Sequence, residues 1–213
     1  MRKFAASTVM VLALAFCGTA HAQLWNETVS GDASNDPLAP SNAGVMVLGN
    51  NIFSGSISNF GADPRDYITF VVPAGLSITQ LILLNLSPDN IAWTHFDDGS
   101  TSVIPDAGNS GTLLAGAHIA AATPDGADLF PNYQAGSPNL LAGPGFNGPI
   151  GPGTYTFLMQ QTSLTNQTYS LNFITVPAPG FASFAAIGAL FFGRRRRLRF
   201  AAFVYLRNAE QTA

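Results

Sequence analysis

The side chains able to do chemistry are few in this 213-residue chain, and their spacing is poor. His95 and His118 are the only histidines after position 22. A Ser-His-carboxylate hydrolase needs its nucleophile on a sharp turn, and no G-x-S-x-G sequence occurs; Gly108-Asn109-Ser110-Gly111 reads as an ordinary turn. H-E-x-x-H, C-x-x-C and phosphate-cradling glycine loops are also missing from the sequence. Asp97, Asp98 and Asp106 make the nearest acidic group, but they lack the alternating spacing of a calcium loop and read as a solvated turn. A glycosidase pair has little to draw on, because Glu27 is the only glutamate in the body of the chain. Trp25, Trp93 and Tyr133 are the aromatics that would stack on a sugar, although the alternation around Trp93 points it into a core. The expectation is a protein that is not an enzyme, with no catalytic, cofactor-binding or metal residue assigned and no cofactor.

Charge excludes one class of partner. The basic residues crowd the two ends, leaving Arg65 against eleven acids between 23 and 175, a net charge of −10 there. Phosphate backbones would be repelled with no basic patch to release counterions, so nucleic acid is not an expected partner. Cys17 is the only cysteine and lies in the N-terminal apolar run, so a chain without that run has no disulfide. A domain of this length does without one, because it buries roughly two thirds of its unfolded-chain surface.

Both ends read as targeting segments. Residues 1–22 form a signal peptide: Arg2 and Lys3, an apolar stretch over 9–16, and small residues Ala20 and Ala22 before Gln23, where signal peptidase would cut. Phe16 before Cys17 is too bulky for lipoprotein processing. At the other end Val176-Pro177-Ala178-Pro179-Gly180 stops the folded domain, since its prolines fix φ and exclude continuous helix or strand. An apolar run follows over 181–192, and then Gly193 and Arg194, Arg195, Arg196 and Arg197. From 180 to 193 a helix spans about 21 Å, short of a roughly 30 Å hydrocarbon core but able to insert with thinning or arginine snorkelling. The four arginines cannot lie within the bilayer at about 2.5–3.5 kcal/mol each, so they stop transfer on the cytoplasmic side.

This tail resembles the PEP-CTERM sorting signal of Gram-negative bacteria, in a VPAPG variant without the usual glutamate. The resemblance implies recognition by an exosortase, cleavage near the motif, an inner-membrane-anchored intermediate, and delivery to the cell surface or the medium. It covers 176–199. The chain departs from the pattern by continuing over 200–213, an extension of unassigned role that includes Phe200, Phe203, Val204, Tyr205 and Leu206.

What must be positioned between these ends is a β domain over 23–175. Period-two alternation marks strands at 45–48, 52–57, 67–72, 76–86, 91–96, 155–159 and 169–173, with Leu76, Ile78, Ile82, Leu84 and Leu86 sharing one face. The runs around Tyr155 and Tyr169 predict an antiparallel hairpin, and 113–121 a strand or helical turn inside an otherwise glycine-rich stretch. The fold class is all-β, an antiparallel β-sandwich of jelly-roll-like form, flanked by a signal helix and a short C-terminal hydrophobic helix. Asp66-Tyr67-Ile68-Thr69-Phe70 and Gly153-Thr154-Tyr155-Thr156-Phe157 resemble bacterial surface domains akin to the pre-peptidase C-terminal β-sandwich. That resemblance implies an accessory or adhesive domain. The function expected is an exported surface or extracellular-matrix structural or interaction protein, meeting signal peptidase, an exosortase, the membrane through its tail, and exopolysaccharide. The alternative is a carbohydrate-binding surface module; an enzyme acting on surface polymers ranks last.

Overall fold

The computed structural model describes residues 21–58, 63–89, 91–102 and 113–178. The chain divides into Met1–Val176 and Pro177–Ala213, and only 177 and 178 of the second unit are described. The expected C-terminal helix over 181–192, the arginine cluster and nearly all of the signal segment lie outside the described residues. No helix among the described residues is long and apolar enough to cross a membrane.

Among the described residues nine strands form two sheets. β1 (His21–Asn26), β3 (Gly49–Ile57), β5 (Leu76–Ser87) and β9 (Gln167–Pro177) make one, in the order β1-β3-β9-β5. The other comprises β2 (Ser41–Val45), β4 (Arg65–Val72), β6 (Ala92–Asp98), β7 (Leu113–Ile119) and β8 (Gly153–Gln161), in the order β2-β4-β8-β6-β7. The architecture is the all-β sandwich that alternation predicts. Pairing is antiparallel for β3–β9, β4–β8, β6–β8 and β6–β7, while β1 and β2 are added in parallel at one edge of each sheet.

Alternation fills the space between the sheets with rings. Phe53 and Phe173 on the four-stranded sheet meet Phe70, Phe96 and Phe157 on the other, with Phe53–Phe173 centroids 4.9 Å apart, Phe96–Phe157 5.0 Å and Phe157–Phe173 5.3 Å. Tilted and edge contacts of this kind add about 0.5–1.5 kcal/mol each beyond their buried area.

Two expectations are corrected here. The runs around Tyr155 and Tyr169 become β8 and β9 of different sheets, so they face each other across the core and form no hairpin. Alternation tells which side chains are inward, and it is silent on the hydrogen-bonded partner. In β5 the buried apolar residues are Ile78, Leu81, Leu83 and Leu86, while Leu84 is exposed. The inward phase shifts twice along the strand, which a nearly continuous apolar run conceals.

The glycine-rich stretch is not a bare loop. Ile78 and Ile150 exchange backbone hydrogen bonds (2.9 and 3.0 Å), and Leu83 N–H donates to Ala127 (2.9 Å), covering the free edge of β5. Gly116 N–H donates to Ala142 (2.8 Å) and Gly145 N–H to Leu114 (2.9 Å), covering that of β7. A 3-10 turn at Phe130–Tyr133 plugs the gap with two buried rings. Segment 120–152 thus blocks both edges on that side against intermolecular pairing.

The registers also define two poles. Gly49 pairs with Thr175, Val45 with Val71 and Val72 with Gly153, so the turns at 46–48, 73–75 and 149–152 share a pole with the start of β1 at 21 and the end of β9 at 177. Ser56 pairs with Thr168 and Arg65 with Gln160, which places 27–32, 56–58, 63–66 and 161–167 at the opposite pole.

Candidate metal centre

At that opposite pole the chain gathers carboxylates from two separate stretches, 27–32 and 63–66. Asn26 ends β1, and its side-chain oxygen accepts from Thr28 N–H at 3.0 Å, starting the single helical turn α1 (Glu27–Ser30). The turn swings Glu27 over β3, where one carboxylate oxygen, Oε2, accepts from Ser56 N–H (2.7 Å) and Ser56 Oγ–H (3.1 Å). The other, Oε1, is buried and has no partner. Gly55 leaves room for it: a Cβ there would stand 2.3 Å from Glu27 Oε1 and 2.8 Å from the Tyr169 hydroxyl.

Asp66 arrives from the other sheet. It lies on the inward face of β4, in phase with Ile68 and Phe70, is fully buried, and neither of its oxygens has a hydrogen-bond partner. Glu27, Asp32 and Asp66 each present an oxygen within 4.8 Å of the others'. Asp63 stands beside them, half-buried, accepting from Asn35 Nδ2 at 3.0 Å. The Tyr169 hydroxyl is buried next to Asp66, within reach to oppose the rise of its pKa as a donor, though the two do not meet in full hydrogen-bond geometry.

The field is correspondingly strained. Burial, and then the Glu27 charge, push the Asp66 carboxyl up to about 9. Burial also pushes Asp63 up to about 6, with the Asp32 and Glu27 charges adding to the rise and the Asn35 bond opposing it. Burial and the Asp66 charge raise the Tyr169 phenol well above its ordinary range. Like charges at this spacing coexist only with a proton or a cation among them, because a buried, unpaired carboxylate costs several kcal/mol. Every candidate donor is an oxygen, which suits a hard cation. Calcium, with six to eight oxygen ligands in flexible geometry, fits better than zinc or copper, which favour nitrogen and sulfur.

Sequence reasoning missed this site. Its calcium candidates Asp97 and Asp98 lie near the other pole, and Asp106 is outside the described residues. The parallel pairing of β1 along β3, Asn26 opposite Ser54, brings Glu27 to Asp66, and no sequence spacing announces it. One signal was available: Asp66 sits at an inward position of a strand whose other inward residues are apolar.

Asp97 belongs to a second buried group, the one Ser-His-Asp convergence among the described residues. His95 Nε2 lies 2.9 Å from both Ser102 Oγ and Asp97 Oδ2, and Ser102 Oγ–H donates to the same Asp97 oxygen. Trp93 Nε1–H donates to His95 Nδ1 at 3.2 Å, so in neutral His95 the ring proton sits on Nε2. In that tautomer the nitrogen facing the serine carries the proton and has no free lone pair to act as a base. Of the sugar-stacking candidates, Trp25 and Tyr133 are core residues, Tyr133 sharing a hydrogen bond with Thr94 at 2.6 Å. Trp93 alone is half-buried on an outer face, 5.0 Å from the His118 ring and against Gly116, where a Cβ would meet it at 2.6 Å.

The targeting residues are placed only in part. Ala22 and Gln23 lie in β1, where Gln23 Nε2 donates to the Trp25 (2.6 Å) and Ile52 (3.2 Å) carbonyls. Val176 and Pro177 end β9 and Ala178 follows it. Ala20, Pro179, Gly180 and Arg194 to Arg197 lie outside the described residues.

No family model matches the chain, and no curated protein matches it. Among solved structures it is similar to the pre-peptidase C-terminal domain of a collagenase from Bacillus anthracis, at 17% identity and a TM-score of 0.36, over 67% of this chain and 100% of that one. A likeness this distant carries no functional argument.

Proposed function

We propose that this chain is an exported β-sandwich protein of the cell surface or extracellular matrix, a structural or interaction module whose fold is completed by a calcium ion among Glu27, Asp32 and Asp66. The observation that carries the metal is Asp66, buried without a hydrogen-bond partner beside two further carboxylates. Export is supported by the sequence at both ends: a leader cut between Ala22 and Gln23 by signal peptidase, and a tail offering its motif to an exosortase while Arg194 to Arg197 hold it in the inner membrane of a Gram-negative cell. The two halves agree physically, because extracellular modules work with calcium affinities of about 10⁻⁴ to 10⁻³ M, which only the outside of a cell satisfies.

A carbohydrate-binding role toward exopolysaccharide is the second reading, favoured by Trp93 alone, the one indole left partly open. The first reading is tested by titrating the metal-free full chain with calcium chloride in a calorimeter, beside Asp66→Asn. One saturable site in the wild type, missing in the variant, is the expected result; a flat wild-type titration contradicts the reading.

A further inference from the structure

The two poles of the sandwich differ in a way that the metal does not explain. At the pole where β1 starts and β9 ends, Val45, Val47 and Leu48 are 55%, 39% and 43% exposed and adjoin one another across the β2–β3 turn. The segments there, 45–49, 72–76, 98–100, 148–153 and 174–178, contain a single charged residue, Asp98. The opposite pole carries Glu27, Asp32, Asp63, Arg65, Asp66 and Asp89. Exposed apolar residues do occur there, Val29 and Leu164, but they sit singly on separate segments, 27–32 and 161–167.

Thr175 and Asn51 tie the apolar turn to the chain exit. The Asn51 amide donates to Val47 O at 2.9 Å and to Phe173 O at 3.2 Å, and the Thr175 hydroxyl donates to Val47 O. Beyond Ala178 only Pro179 and Gly180 precede the apolar run that begins at Phe181. The three peptide links from Ala178 to Phe181 span at most about 11 Å.

We propose that the turn at Val45, Val47 and Leu48 is a membrane-contact surface, resting on the lipid headgroups of the bilayer in which the tail is anchored. The proposal rests on the reading of 181–192 as a membrane segment. With so short a tether the exit pole cannot leave the bilayer, and aliphatic side chains held there lose water by sinking to the headgroup and acyl boundary. The acidic pole faces away, as repulsion from anionic lipids requires. One occupant is thereby assigned to an apolar surface that the fold leaves uncovered.

The test uses the full chain with Cys17→Ser, reconstituted in vesicles of phosphatidylethanolamine and phosphatidylglycerol that carry acyl-chain quenchers. A polarity-sensitive fluorophore is placed in turn at Leu48→Cys, Leu164→Cys and Ile187→Cys. The expected result is severalfold quenching with a blue shift at 48 and at 187, and neither at 164. Quenching at 187 with 48 as bare to water as 164 overturns the contact surface and leaves the anchor standing. No quenching at 187 overturns the anchor and the contact surface together.

Discussion

Asp66 is the residue on which the account turns, because its chemistry conflicts with its place. A carboxyl whose pKa is higher in the folded state than in the unfolded one binds its proton more tightly when folded, so the fold is penalised as that proton is withdrawn. With Asp66 raised to about 9 and Asp63 to about 6, metal-free protein loses stability as pH rises from about 4, the Asp63 part by about 6 and the Asp66 part on toward 9. Thermal unfolding in chelator is therefore expected at a lower temperature at pH 8 than at pH 5. Saturating calcium, which takes the place of the proton, is expected to flatten or reverse that slope. An unchanged melting temperature in chelator across this range would remove the strain on which the site rests. At this scale the sequence is least legible. Asp66 is inward by alternation, but the carboxylates that meet it come from positions 27 and 32, and only the pairing of β1 with β3 assembles them.

At the scale of elements the sequence says more, and its failures share one cause. β4 and β8 are read correctly although both are buried on both faces over much of their length, because polar Thr69 and Thr156 mark the phase against inward Ile68, Phe70 and Phe157. β5 misleads because a run apolar on both sides has no phase to read, and β8 and β9 mislead because alternation leaves their partners open. Segment 120–152 has no periodicity at all; it is shaped by glycines where backbone crosses backbone. Gly143 sits at φ 77°, and a Cβ there would stand 2.6 Å from Leu114 O. Gly143→Ala is expected to cost about 1–3 kcal/mol and to loosen the cover over β7. The check is denaturant unfolding together with faster amide exchange at Gly116 and Gly145; a variant as stable and as protected as the wild type would show that the edge cover contributes nothing.

For the whole molecule, the separation of poles gives the order of events a physical form: the start of β1, the end of β9 and the apolar turn on one side, acids and cation site on the other. Protein recovered from the surface or medium of its native host is expected, by intact mass, to start at Gln23 and to end between Val176 and Gly180. A species retaining Arg194 to Arg197 would make the tail a permanent anchor, and the exosortase reading would fall while the sandwich and its cation site stood. Calcium would then mark arrival outside the cell, since the three carboxylates cannot all be charged together in the fold without it.

That claim is tested most directly by thermal unfolding of the full chain and of Asp66→Asn, each in calcium and in chelator. For a site filled to about 100 times its dissociation constant, the account predicts a gain of about 2.7 kcal/mol for the wild type. It predicts no calcium response in Asp66→Asn, and in chelator at neutral pH a variant about as stable as the wild type, because Asp66 is held there as the neutral acid and the amide replaces it with a neutral group of the same shape. A wild type indifferent to calcium, or a variant destabilised in chelator, would show that Asp66 is satisfied in some other way and that the sandwich is complete without a metal.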